Sequence, residues 1–160
     1  MALQTKSASI LRQIENDSSQ ASSLDALMRA IIRTLAEEMP HYNWIGFYML
    51  NQEDLNILEL GPYQGATTPH TRIPLNQGIC GAAVSQRKTI VVDDVQADSR
   101  YLACSIETKS EIVAPIFVFG LVVGELDIDS HSAAAFGGED RALVEGCAAL
   151  VGKFLEAHPQ

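Results

Sequence analysis

The chain has 160 residues, 47% hydrophobic and 19% charged, with a net charge of −9. That length suits one domain with its own core, and the acidity excludes the basic footprint that nucleic acid or an anionic membrane surface requires. The first residues carry no apolar signal segment and no run approaches about 18 apolar residues, so the sequence predicts a cytoplasmic protein without a membrane span.

Residues 3–14 predict a first helix and residues 16–23 a polar loop. Ser22 or Ser23 then caps a helix over 24–38, where Leu24, Leu27, Met28, Ile31, Ile32 and Leu35 recur on one face before Pro40. HYNWIGFYML, residues 41–50, is aromatic and β-branched and predicts a strand, with a turn at 51–54 and a returning strand over 55–61. A long loop follows through His70, then a short extended piece at 71–74. Gly78-Ile79-Cys80-Gly81 predicts a glycine turn that opens a short helix, whose first amides form an anion site. Residues 89–92 predict a strand and 93–100 a polar loop. The runs 111–118 and 121–128 are nearly continuous in apolar residues, as strands covered on both faces are. Leu143, Cys147, Leu150, Val151 and Phe154 mark a terminal helix. The expected fold is α+β: an antiparallel sheet of five or six strands, with the N- and C-terminal helices on one face and a pocket on the other.

The chemistry concentrates in residues 101–130, YLACSIETKSEIVAPIFVFGLVVGELDIDS. A hairpin closing at Phe119-Gly120 sets the start of one strand beside the end of the next. Glu111, Asp127 and Asp129 then share a neighbourhood, with Cys104 on the loop just before. Clustering like charges is destabilising without a use. There are three cysteines, Cys80, Cys104 and Cys147, which argues against a disulfide framework. No pair has C-x-x-C spacing and the histidines are scattered, so neither a metal nor another cofactor is expected. Cys147 reads as a core residue on an apolar helix face. Trp44 reads equally as a core aromatic or a pocket wall. His70 reads as a loop residue or as a base that helps deprotonate Cys104 or Cys80.

From His41 to Phe154 the chain resembles GAF domains, and among them the free methionine-(R)-sulfoxide reductases. The resemblance rests on Tyr42-Asn43-Trp44-Ile45-Gly46-Phe47-Tyr48, on Leu60-Gly61-Pro62-Tyr63-Gln64-Gly65 and on Gly78-Ile79-Cys80-Gly81. It rests equally on Leu102-Ala103-Cys104 with Ser110-Glu111-Ile112-Val113, and on Leu126-Asp127-Ile128-Asp129-Ser130. It implies a single GAF domain over residues 1–160. It further implies that Cys104 attacks the sulfoxide sulfur of free methionine (R)-sulfoxide and becomes a sulfenic acid. A second thiol condenses with it to a disulfide that a thioredoxin-like partner reduces. The family carries another cysteine shortly before Arg-Ile-Pro; here His70 stands in that place, which leaves Cys80 as the resolving thiol.

Glu111, Asp127 and Asp129 would supply the proton for the departing oxygen and bind the substrate ammonium. Gly78 and Ile79 would hold its carboxylate, while Trp44, Tyr48 and His70 line the site. The alternative is a non-catalytic GAF module that binds a small molecule or senses redox state. A homodimer is left open.

Overall fold

The computed structural model describes residues 5–102 and 105–159. Three helices form one layer. Helix α1 (Lys6–Ser19) is capped by Thr5, whose hydroxyl accepts from the Ala8 amide, and it buries Ile10 and Ile14. It runs five residues past the predicted end at 14: residues 15–19 contain no glycine or proline, and their polar side chains lie mostly in solvent. Helix α2 (Leu24–Glu38) spans the predicted residues, with Ser23 accepting from the Ala26 amide at 3.1 Å. A later helix, Gly138–Ala157, completes the layer and buries Leu143, Val144, Cys147 and Val151. It starts before the first apolar residue of the predicted stripe because its opening turn is solvent-facing, with Asp140 accepting from the Gly137 amide.

The six strands are β1 (Trp44–Leu50), β2 (Ile57–Gln64), β3 (Arg72–Pro74), β4 (Ile90–Val92), β5 (Ser110–Val118) and β6 (Leu121–Ser130). They form one antiparallel sheet in the order β3-β2-β1-β6-β5-β4. Helix α3 (Gly78–Gln86) precedes β4, and the C-terminal helix is α4. A single 3₁₀ turn, Val95–Ala97, interrupts the polar loop after β4.

Strand β2 extends beyond the predicted residue 61, through Pro62. The register with β1 slips between Gly46 and Tyr48, so Phe47 faces an extra residue of β2. A bulge is where a strand tolerates a proline, because a ladder donor is already missing there. The β5–β6 hairpin closes at Phe119 and Gly120, whose φ angles of 48° and 80° are both positive, the geometry of a type I′ turn.

Side-chain direction alternates along β6, which is buried on both faces from Gly124 to Ser130. Leu126 and Ile128 join α1, α2 and α4 in the larger core, with Ile45, Phe47, Ile112 and Ile116. Glu125, Asp127 and Asp129 point to the opposite face, where α3 packs with Tyr48, Leu58, Ile73 and Val113 in a second apolar cluster. The fold class is therefore as expected. The short helix predicted after the Gly78 turn is α3, and it roofs the face left to the pocket.

Candidate active site

The β5–β6 register sets Glu111 opposite Asp129, Val113 opposite Asp127 and Pro115 opposite Glu125. Side chains two apart on a strand share a face. All four acids are buried, with relative exposures of 5% for Glu111, 0% for Glu125, 5% for Asp127 and 1% for Asp129.

Helix α3 lies over them. Gly78 has φ +73° and starts the helix beside Leu102. Gly81 is pressed onto the preceding turn; a Cβ there would fall 2.7 Å from the Leu75 carbonyl oxygen. That close approach brings Cys80 down to the sheet, where its Sγ donates to Asp127 Oδ2 at 3.4 Å. The cap residue Gln77 provides no side-chain acceptor, so the first α3 amides keep their capacity for an anion.

Burial dominates the electrostatics. It pushes the Cys80 thiol well above its ordinary value, and Asp127, Glu125 and Glu111 push it further. Burial likewise raises Glu111, reinforced by Asp127 and Asp129. It raises Asp127 too, against the lowering effect of hydrogen bonds with Glu111 and Cys80. Glu125 is raised by burial above all. Glu125 faces the Cys80 sulfur, but neither of its oxygens reaches hydrogen-bonding geometry, and Asp127 Oδ1 also lacks a partner. The thiol is therefore assigned to Asp127.

A cavity of about 30 Å³ opens between Cys80, Glu111 and Asp127 on one side and Tyr48, Thr68 and His70 on the other. Ile73, Gly78, Ile79 and Leu102 complete its wall. Tyr48 is buried, and its hydroxyl donates to the His70 carbonyl at 2.7 Å, tying β1 to the loop before β3. Trp44 and Asp129 line a separate cavity of about 80 Å³ with Ser105 and His131. The Trp44 indole donates to the Ala66 carbonyl at 3.0 Å and stacks between Tyr48 and Tyr63.

Among the residues singled out in the sequence, Cys80, Glu111, Asp127, Tyr48, His70, Gly78 and Ile79 converge on the smaller cavity. Trp44 and Asp129 belong to its neighbour. Cys104 lies outside the described residues; its chain neighbours Leu102 and Ser105 line the smaller and the larger cavity respectively. Cys147 is fully buried in the helical core, and burial pushes its thiol up to about 12.

Two contributors, Glu125 and Thr68, went unnoticed in the sequence. Glu125 lies inside a run read as apolar, although its spacing of two from Asp127 and four from Asp129 was the available signal. Thr68 carries no signal beyond its place on a loop, whereas Leu102 belongs to a segment the sequence had already singled out. The sequence also offered no metal-ligand spacing, yet Cys80 Sγ and one oxygen each from Glu111 and Asp127 lie within 4.8 Å of one another.

The GAF domain family matches residues 23–155 of the chain. Protein YtsP of Bacillus subtilis (strain 168) is 38% identical over 121 residues, spanning 76% of this chain and 73% of that protein. The free methionine-R-sulfoxide reductase of Escherichia coli (strain K12) is 36% identical over 121 residues, 76% of this chain and 71% of that one. The crystal structure of the Neisseria meningitidis free methionine-R-sulfoxide reductase, in complex with its substrate, superimposes with a TM-score of 0.89 at 34% identity, covering 98% of this chain and 94% of that chain. With its six-stranded antiparallel sheet and its helical layer, the chain belongs to the GAF domain family, and within it is similar to the free methionine-R-sulfoxide reductases.

Proposed function

We propose that this protein reduces free L-methionine (R)-sulfoxide to methionine. One observation carries the reading: buried carboxyl groups and a helix N-terminus without a side-chain cap face one cavity. Those two features match the two charged ends of a free amino acid. Glu111 and Asp127, with Asp129 behind Glu111, take the ammonium through charge-assisted hydrogen bonds. The Gly78 and Ile79 amides take the carboxylate. A peptide has neither charged end at an internal methionine, so the site selects the free amino acid. Tyr48, with Trp44 stacked behind it, offers aromatic surface to the S-methyl group.

Cys104 acts as the nucleophile. Its sulfur attacks the sulfoxide sulfur, a carboxyl proton goes to the oxygen, and oxygen transfer leaves methionine and a Cys104 sulfenic acid. The Cys80 thiol then condenses with that acid, expelling water and forming a disulfide, and a thioredoxin-like dithiol returns both cysteines to thiols. A cavity of about 30 Å³ holds roughly one water. Substrate binding therefore requires Thr68, His70 and Leu102, which project from loops, to move outward. No helix among the described residues is long and apolar enough to cross a membrane.

Product analysis tests the reading. Purified protein with dithiothreitol, then with thioredoxin, is incubated with each sulfoxide diastereomer. Methionine is expected from the (R) form only. A second reading, a GAF module that binds a small molecule without turnover, is favoured by one observation: Cys80, the resolving thiol, is buried and held as a thiol. Recovery of unreacted sulfoxide bound to the protein, with all thiols unmodified, would establish that reading instead.

A further inference from the structure

We propose that Cys80, Glu111 and Asp127 form a binding site for a divalent cation of the zinc class. Their ligand atoms lie within 4.8 Å of one another, and all three residues are buried. In a tetrahedral zinc site, bonds of about 2.3 Å to sulfur and about 2.0 Å to oxygen place the two ligands roughly 3.5 Å apart. The Cys80 Sγ to Asp127 Oδ2 separation is 3.4 Å, already at that edge length.

A second observation points the same way. Asp127 Oδ1 and both Glu125 oxygens are buried without a hydrogen-bond partner, and Glu125 faces the same sulfur. Buried polar atoms are ordinarily satisfied, and those that are not call for a group that satisfies them. A cation bound by the thiolate and two carboxylates would draw in Asp127 fully and give Glu125 a charge to face. The fourth position opens on the cavity of about 30 Å³, the space of one water molecule. Three protein ligands and a water is a zinc arrangement. The sulfur and the small ligand number disfavour calcium and magnesium, which take six or more oxygens. Binding releases the Cys80 thiol proton, and any proton carried by Glu111 or Asp127, to solvent. The ion would occupy the place given above to the substrate ammonium and would withdraw the resolving thiol, so it would act as an inhibitor. Only this consequence rests on the proposed reductase reading; the binding does not.

The test uses the full, reduced chain and cobalt(II) as an optical probe. A thiolate–cobalt charge-transfer band in the near ultraviolet is expected, saturating at one equivalent and abolished by zinc. Cys80→Ser should lose the band, and Asp127→Asn should weaken cobalt binding at least tenfold. Glu125→Gln should weaken it about tenfold, the effect of removing an outer-shell partner. Cys104→Ser and Cys147→Ser should both retain the band. Circular dichroism establishes that each variant is folded, and Glu111→Gln provides a second ligand test where Cys80→Ser fails to fold. Absence of the band in the wild type, or its survival in Cys80→Ser, overturns the site whether or not the protein turns over sulfoxide.

Discussion

Glu125 sits on β6 with no exposed surface and with neither oxygen hydrogen-bonded. Burial raises its pKa well above the ordinary value. In the unfolded chain the same carboxyl ionises near its ordinary pKa. Between those two values the unfolded state binds fewer protons than the folded one, so stability falls as pH rises through that window. Below the unfolded pKa both states are protonated and the penalty disappears. Glu125→Met, which keeps volume and removes the ionisation, should therefore stabilise the protein at pH 8 by about 1–3 kcal/mol and much less at pH 4. Denaturant melts at the two pH values check this; an equal gain at both would contradict the burial argument. The cysteines separate in another way. Cys104→Ser should abolish sulfoxide reduction, whereas Cys147→Ser, in the helical core, should cost about 1–3 kcal/mol of stability and leave the rate per folded molecule near wild type. Assaying both variants below their melting temperatures distinguishes the two effects. Glu111, Asp127 and Asp129 were legible because a hairpin turn sits midway between β5 and β6, whereas Glu125 was hidden inside an apolar run. The approach of Cys80 was not, since it depends on α3 folding back over the sheet.

At the level of single elements, backbone conformation sets the limits. Phe119 adopts φ 48° at the hairpin turn while its side chain is 74% exposed. A left-handed conformation costs an ordinary residue roughly 1–2 kcal/mol, and asparagine much less. Phe119→Asn should thus raise stability by about 0.5–1 kcal/mol, whereas Gly120→Ala, at φ 80° in open space, should lower it by about 1 kcal/mol for backbone reasons alone. Paired thermal melts measure both signs. Gly46 is constrained differently: a Cβ there would lie 2.3 Å from the Trp44 ring, which is already stacked between two tyrosines. Gly46→Ala should cost about 1–3 kcal/mol through overpacking. Helix α2 and the hairpin were readable because a serine cap, Pro40 and a Phe-Gly turn punctuate them. The far end of α1 was not, because polar residues continue a surface helix as readily as they form a loop. The extension of β2 through Pro62 was hidden by the bulge, a feature of pairing rather than of composition.

Across the whole molecule, the sheet divides two unequal cores. The larger lies under α1, α2 and α4; the smaller lies under α3 and carries the buried acids. Local stability follows buried apolar contact, so the smaller side should open first. Native-state hydrogen exchange should find α3 amides exchanging at least tenfold faster than those in the middle of α2, with β5 and β6 slowest. The strand order was only partly legible: adjacent hairpins follow from turn signals, whereas the pairing of β1 with β6 joins segments far apart in sequence and is decided by tertiary packing. Trp44 is the single tryptophan of the chain. It stacks on Tyr48, which lines the small cavity and holds the His70 carbonyl. Any occupant that parts Tyr48 from that loop must disturb the indole. The protein thus carries its own fluorophore against the cavity wall, and a ligand titration followed by intrinsic emission needs no label and no turnover.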